Sequence, residues 1–139
     1  MNIMEAEEIL YSNQYFVNFE DKRLKSTFVM STTLPNPATH IISMKLRNIV
    51  LEDNTTVFEI LSKWKNEEHA RKEIEIDLFG GKEKPHVLTR FVLNGCQPGL
   101  VYIPTDLDYS KCEPLIVEVQ FTYDYYVTLF SEDTKSTDD

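Results

Sequence analysis

The chain has 139 residues, 42% of them apolar, which fits one domain with a core of ordinary density. Its formal net charge is −9, and the charge is unevenly distributed. Residues 21–90 carry twelve basic and ten acidic side chains, whereas residues 91–139 carry two basic and nine acidic ones. This balance argues against a protein that binds nucleic acid along the phosphate backbone, because such binding needs clustered Lys and Arg.

The cysteine pattern and the hydropathy are typical of a protein that is made in the cytoplasm. Cys96 and Cys112 form no C-x-x-C pair and have no histidine at ligand spacing, so we interpret both as free thiols in a reducing cytoplasm. No apolar run approaches the roughly 20 residues that span a bilayer, and no basic and apolar leader opens the chain. We therefore expect a protein that is soluble when made.

The first third of the chain predicts an arm and a β-hairpin. Residues 1–13 form an N-terminal arm, with a short helix from Glu5 to Leu10 as the alternative. Apolar and polar side chains alternate over residues 15–19, which predicts a first strand, and residues 24–31 are predicted to be its hairpin partner. Two prolines make residues 32–38 a loop.

The middle of the chain changes from a period of two to a helical period. Alternation predicts a strand over residues 42–51. Thr56 and Glu59 have the spacing of a capping box, and the apolar residues that follow share one helical face. The sequence therefore predicts one helix over about residues 56–69, with Trp64 as a core anchor on its apolar face.

The next segment predicts two strands joined by a glycine turn. Residues 73–79 alternate, Gly80 and Gly81 form a turn, and residues 86–93 form the second strand. The Asn94-Gly95 pair is predicted to end that strand, and residues 100–103 are predicted to add a separate short one.

The C-terminal segment predicts a long closing strand. Residues 116–126 alternate almost without interruption, which places Val117, Val119, Phe121, Tyr123 and Tyr125 on one face. Residues 131–139 have no apolar anchor, and we expect a disordered acidic tail there.

Candidates for chemistry are weak. Asp106 and Asp108 could act as an acid/base pair or hold a metal, but no further oxygen ligands accompany them. Cys96 with His86 lacks the signature of a nucleophilic dyad. The aromatic cluster at residues 123–126 has almost no interleaved Lys or Arg, so a strand core and subunit interface explains it better than base stacking. We therefore expect no catalytic residues and neither cofactor nor metal.

The order of the segments carries a resemblance. It includes Tyr15-Phe16-Val17-Asn18-Phe19, the Leu34-Pro35 loop, the helix with Trp64, Cys96-Gln97-Pro98, Asp106-Leu107-Asp108-Tyr109, and the closing Val119-Gln120-Phe121-Thr122-Tyr123-Asp124-Tyr125-Tyr126. This order, over roughly residues 14–127, resembles the tail tube protein family of contractile-tailed bacteriophages. The tubes of type VI secretion systems and the tube-initiating baseplate proteins are similar in fold. The chain departs from the family in lacking a long insertion between Ser31 and Ile41.

The resemblance implies a mainly β fold, an antiparallel β-barrel or sandwich with one flanking helix, over residues 14–130. It further implies a virion structural protein without enzymatic activity, made in the cytoplasm of the bacterial host. Hexameric rings of this subunit would stack into a hollow tail tube that conducts DNA during ejection without binding it specifically. The implied partners are further copies of the chain and the tail sheath, baseplate and tape measure proteins, with no membrane anchoring.

From the sequence and this resemblance we assign two groups of residues. The fold anchors are Trp64, Pro98, Phe121, Tyr123 and Tyr125, and the possible inter-subunit contacts are Asp106, Asp108 and Tyr126. Two alternative functions stay open. One is a tube-like baseplate initiator or tail terminator that forms a single ring, and the other is a monomeric β-sandwich that binds a peptide or glycan through its aromatic strand.

Overall fold

A computed structural model describes residues 7–81 and 84–131 of the chain. In chain order the elements are β1 (Tyr15–Phe19), a short 3-10 turn (Ser26–Phe28), β2 (Val29–Thr32), β3 (Ile41–Arg47), α1 (Val57–Asn66), β4 (Lys72–Gly80), β5 (His86–Tyr102), β6 (Ile116–Thr122) and β7 (Tyr125–Phe130). The mainly β fold with one helix is confirmed.

The strands form two antiparallel layers that share one long strand. The first sheet has the order β1-β4-β5-β7, and the second has the order β2-β3-β6-β5. The layers are not closed into a barrel, so of the two predicted forms, barrel or sandwich, the fold is the sandwich. Their inner faces meet in one apolar core, where the rings of Phe19 from β1 and Phe121 from β6 lie 6.4 Å apart between centroids.

β5 passes from one sheet to the other without ending. Its first half pairs with β7, as in Asn94 with Tyr125, and its second half pairs with β6, as in Gln97 with Thr122. The prediction that Asn94-Gly95 ends the strand is wrong, and so is a separate strand at residues 100–103. Gly95 has φ +72°, a conformation that glycine adopts at little cost, so the strand bends there instead of stopping.

The chain that pairs with β5 is interrupted at the same place, so the prediction of one closing strand over residues 116–126 is wrong. β6 ends at Thr122 and β7 begins at Tyr125, with Asp124 N donating to the Asn94 carbonyl at 2.8 Å. The alternation shifts by one residue across the corner. Tyr123 is 4% exposed and Tyr126 is half-buried against the core, whereas Tyr125 is 58% exposed. Tyr125 is therefore not packed in the core, contrary to its assignment as a fold anchor.

The predicted N-terminal hairpin is also wrong. β1 pairs with β4 in the first sheet, and β2 pairs with β3 in the second. The segment between β1 and β2 instead covers part of the edge of β1, because Val17 N donates to Ser26 Oγ at 2.9 Å. The alternative helix from Glu5 to Leu10 is not formed over residues 7–10, and its first two residues lie outside the described residues. The last part of the strand predicted over residues 42–51 is likewise absent, since β3 ends at Arg47.

The predicted helix begins at its predicted cap. Thr56 Oγ1 accepts a hydrogen bond from Glu59 N at 3.2 Å, which satisfies one free donor of the first turn. The helix ends at Asn66, three residues before the predicted end. It packs on β5, and Trp64 is 4% exposed with its ring 5.3 Å from that of Phe121.

Candidate assembly interface

The thiol that sequence analysis considered as a nucleophile is buried. Cys96 has no measurable exposure, and burial raises its pKa to about 12. His86 lies ten residues earlier on the same strand, which is about 33 Å along an extended chain, so the two are not brought together. A neutral, inaccessible thiol without a nearby base has no means of acting as a nucleophile.

The two aspartates considered for metal or acid/base chemistry lie in the exposed loop of residues 103–115. Asp108 Oδ1 accepts from Ser110 N at 2.9 Å and from Ser110 Oγ at 2.7 Å. These hydrogen bonds to Ser110 lower the pKa of the Asp108 carboxyl. Across residues 7–81 and 84–131, no three His, Cys, Asp or Glu side chains come together as metal ligands. Asp108 thus organises a turn.

The remaining predicted anchors lie in the core. Trp64, Phe121 and Tyr123 are at most 4% exposed, and Pro98 is buried in β5. The Tyr123 hydroxyl donates to the Thr39 carbonyl at 2.9 Å, which ties the corner to the loop before β3.

The geometry offers backbone edges as binding surfaces. In the described part of the chain, the second sheet ends in β2 on one side and in residues 97–102 of β5 on the other. The first sheet ends in β1 and β7. Unpaired strand edges present rows of N–H and C=O groups that take up another strand readily. Because the hydrogen bond from Val17 N to Ser26 Oγ occupies part of the β1 edge, the candidate edges for assembly with further copies are β2, β7 and residues 97–102 of β5.

The outer face of the second sheet is polar and close to neutral. Lys45 Nζ lies 3.6 Å from Glu118 Oε1, and the Tyr102 hydroxyl donates to the same carboxylate. This hydrogen bond to Glu118 raises the pKa of Tyr102. The neighbouring exposed side chains include Ser43 and Gln120, and together these residues border a shallow groove of about 230 Å³.

The outer face of the first sheet carries an ion network that sequence reasoning missed. Arg90 Nε lies 2.8 Å from Asp77 Oδ1 and 3.5 Å from Glu75 Oε2, and Asn18 Nδ2 donates to Asp77 at 3.0 Å. Asp77 is only 3% exposed. Desolvation raises the pKa of Glu75. The register places Asp77 opposite both Phe16 and Arg90, a relation between distant segments that no local pattern reveals.

Several apolar side chains have no cover in the described chain. Leu107 is 87% exposed and Tyr109 is fully exposed at the tip of the loop of residues 103–115. A separate apolar groove of about 320 Å³ lies between the first sheet and the end of β2. Solvent-exposed apolar surfaces of this kind mark sites of protein association. Within the described residues, no helical segment is long and apolar enough to cross a membrane.

Comparison with solved structures identifies the fold. The chain is similar to a sheath-tube complex of an extracellular contractile injection system (PVC) in the extended state, with a TM-score of 0.66, 11% identity, and coverage of 94% of this chain and 99% of that one. It is also similar to the baseplate of the anti-feeding prophage (AFP), 6-fold symmetrised, with a TM-score of 0.60, 13% identity, and coverage of 89% and 97%. A crystal structure of Hcp protein matches with a TM-score of 0.52, 11% identity, and coverage of 85% and 92%.

The fold is therefore that of the tail tube proteins, as the resemblance in the sequence implied. No family model and no curated protein matches the sequence. The neighbours are components of tubes and of contractile injection systems, which are structural assemblies. Because the match spans nearly the whole of each neighbour, it concerns the complete two-layer domain and not a shared fragment.

Proposed function

We propose that this chain is a subunit of the tube of a contractile tail or injection system, which assembles into six-membered rings that stack within a sheath. The observation that carries the proposal is the fold match over 94% of this chain and 99% of a chain from a sheath-tube complex. A second neighbour comes from a 6-fold symmetrised assembly, which supports the ring number. In this role the protein works as a virion or particle component without catalysis.

The edges of the second sheet supply a way to close the ring. β2 of one copy would pair with residues 97–102 of β5 in the next copy, so that the four-stranded sheets join into one wall. Six copies would give a barrel of about 24 strands. With strands about 4.8 Å apart and tilted by about 40°, its backbone would be roughly 48 Å across, and side chains would leave an opening of roughly 38 Å.

The outer face of the second sheet would then line the channel. Lys45 and Glu118 neutralise each other there, and Arg47 Nη1 donates to the Thr27 carbonyl. Arg47 keeps its positive charge, but apart from Lys45 and Glu118 the side chains that border the groove are uncharged, so each copy offers no cluster of cations to the phosphates of DNA. Such a wall supports our proposal that DNA passes without specific binding, although a folded protein cargo would pass it equally well.

The test is the native mass of the purified chain, measured by light scattering coupled to size exclusion, with negative-stain electron microscopy of the same fractions. We expect six-fold rings or tubes with a central opening near 38 Å. A monodisperse monomer at every concentration would contradict the proposal and favour the monomeric binding module.

A charge-swap pair tests the ring joint itself. Met30 on β2 and Leu100 on β5 are 42% and 41% exposed, so charged side chains at both positions are accommodated in the monomer. We expect the M30K/L100K double variant to lose rings, because like charges face each other across the joint, and M30K/L100E to retain them. Equal assembly of the two double variants would refute this placement of the joint.

The exposed tyrosine on β7 gives an independent test of the subunit contacts. We propose that Tyr125, together with Asp106, Asp108 and Tyr126, lies near a contact between copies. Tyr125→Arg places a charge on an edge strand and should prevent ring assembly. Rings of wild-type mass from this variant would remove β7 from the interface.

A single-ring component is the second candidate function, since one of the neighbours comes from a baseplate structure. An initiator or terminator would form the same ring but would not polymerise alone. Rings that never stack under conditions where the ring itself is stable would favour this role over the tube.

A further inference from the structure

The loop of residues 103–115 presents two apolar side chains in an ordered turn. Lys111 N donates to the Asp108 carbonyl at 3.1 Å, and Asp108 itself accepts from Ser110, so the tip of the loop is held by its own hydrogen bonds. Leu107 and Tyr109 flank this turn and are 87% and fully exposed. Leu107 and Tyr109, which we call the knob, are therefore not covered by other described residues of their own subunit.

A matching groove lies elsewhere on the same domain. It is open and mostly apolar, encloses about 320 Å³, and has these side chains in its lining: Leu10, Tyr11, Tyr15, Leu34, Ile76 and Leu78. Leu10, Tyr11 and Leu34 are 46%, 66% and 43% exposed. β1 and β4 therefore form the floor of the groove, and the exposed side chains of Leu10, Tyr11 and Leu34 form its apolar rim.

The knob and the groove lie at opposite ends of β3, so one subunit cannot fill its own groove. The loop is rooted where β3 ends, since Asn48 N donates to the Leu115 carbonyl at 2.9 Å. The chain after β2 runs toward the start of β3, with Thr33 N donating to the Ser43 carbonyl, and this carries Leu34 to the groove. Complementary patches at different places on one surface produce head-to-tail contacts between copies.

We propose that Leu107 and Tyr109 of one copy insert into this groove of a copy in the next ring, and that this contact stacks the rings. The proposal rests on the proposed tube function and assigns its ring-to-ring contact. A tyrosine buries about 150–250 Å², so with the leucine each knob buries roughly 300 Å², well below the roughly 800 Å² per partner of a stable pair. Single copies therefore do not associate through it, whereas six contacts formed together between two rings hold them.

The first experiment separates rings from tubes. The L107S/Y109S double variant and the groove variant Leu34→Asp alter exposed positions, and we expect both to form rings of wild-type mass but no tubes by electron microscopy. Val50→Ser is the control, because Val50 is 63% exposed and apolar but belongs to neither surface; it should form tubes of wild-type length. Tubes of wild-type length from the double variant would overturn the proposal.

The second experiment locates the contact with a native thiol. Cys112 is exposed in the loop and Cys96 is buried, so a short bismaleimide reacts selectively at the loop. In Leu34→Cys tubes we expect a ladder of crosslinked dimers, trimers and higher multimers between Cys112 of one copy and position 34 of the next. The ladder should disappear when Cys112→Ser is added.

The outcomes separate this inference from the function on which it rests. A ladder in isolated rings that have not stacked would place the contact within a ring, and no ladder in intact tubes would exclude the groove; either result overturns the inference and leaves the tube function standing. Wild-type protein that forms neither rings nor tubes would refute the proposed function and this inference together.

Discussion

Replacing Gly95 with alanine tests the corner at which β5 passes between the sheets. Gly95 has φ +72°, in the left-handed region that disfavours a side chain. A Cβ at this position would lie 2.6 Å from Cγ of Asp124 and 3.2 Å from its Cβ, both closer than non-bonded carbon atoms approach. Asp124 has to move, and its ion pair with Arg71 is lost as it does so.

The magnitude follows from two contributions. A non-glycine residue in the left-handed region costs about 1–2 kcal/mol. The Arg71–Asp124 pair has both side chains about half exposed, so solvent screening limits its loss to about 0–1 kcal/mol. We expect Gly95→Ala to lower the free energy of unfolding by about 2–3 kcal/mol, a large part of the roughly 5–15 kcal/mol of a typical domain. For a chain of this length the melting temperature should fall by roughly 8 °C.

Urea unfolding followed by the fluorescence of the single tryptophan measures this loss. Gly99→Ala, on the same strand, is the matched control. A Cβ at Gly99 would come no closer than 3.7 Å to its neighbours, and Gly99 has no positive φ, so its substitution should cost less than about 1 kcal/mol. Equal losses for the two variants would refute the view that the corner requires glycine at position 95.

Four further predictions follow from the core and the buried polar groups. Trp64→Ala should lower the free energy of unfolding by about 3–5 kcal/mol in urea, followed by circular dichroism because the variant lacks the fluorescent tryptophan, and a loss below about 1 kcal/mol would contradict the burial of Trp64 at 4% exposure. Ellman's reagent should modify Cys112 in the folded protein and Cys96 only after unfolding, so two rapid reactions would show that the core is open. Burial raises the pKa of Cys96 to about 12. The contribution of the neutral thiol to the free energy of unfolding is therefore complete below about pH 9 and is lost as the pH rises toward 12. Cys96→Ala should abolish this part of the loss of stability at high pH. Asp77→Ala removes the carboxylate that accepts two hydrogen bonds from Arg90 and should lower the free energy of unfolding by about 1–3 kcal/mol in the urea assay that follows tryptophan fluorescence. An unfolding midpoint equal to that of the wild type would contradict this prediction.

The fold match and the absence of a sequence match have the same physical origin. A two-layer sandwich requires alternating apolar residues along its strands, but many side chains of similar size satisfy that requirement. Neighbours at 11–13% identity therefore keep the same architecture. The surfaces that we propose to mediate assembly, such as the loop of residues 103–115, depend on the chemistry of particular exposed residues and are free to differ between assemblies.

Local rules were sufficient wherever a segment determines its own structure. The Thr56 cap, the helix that follows it, the proline loop before β3 and most strands were predicted from the sequence and are confirmed. Each depends on neighbouring residues alone, through a period of two or 3.6, a capping hydroxyl, or the missing N–H of proline.

Pairing was decided by distant segments. Residues 24–31 follow β1 directly and looked like its hairpin partner, yet β4 takes that place and β2 joins β3. A short alternating segment fits against any strand with a compatible apolar face, and burial of the complete core selects among the possibilities. The same global selection placed Asp77 beside Arg90, which are thirteen residues apart and on different strands.

The sequence by itself determined that the chain forms strands with one buried face, one capped helix and a polar C-terminal end, because these features follow from side-chain periodicity and local backbone chemistry. Only the tertiary structure decided that β5 and its partner strand bend together at Gly95 and Asp124. That bend shifts the alternation by one residue, buries Tyr123 and exposes Tyr125. Its cause is a contact between residues almost thirty positions apart, which no local pattern in the chain records.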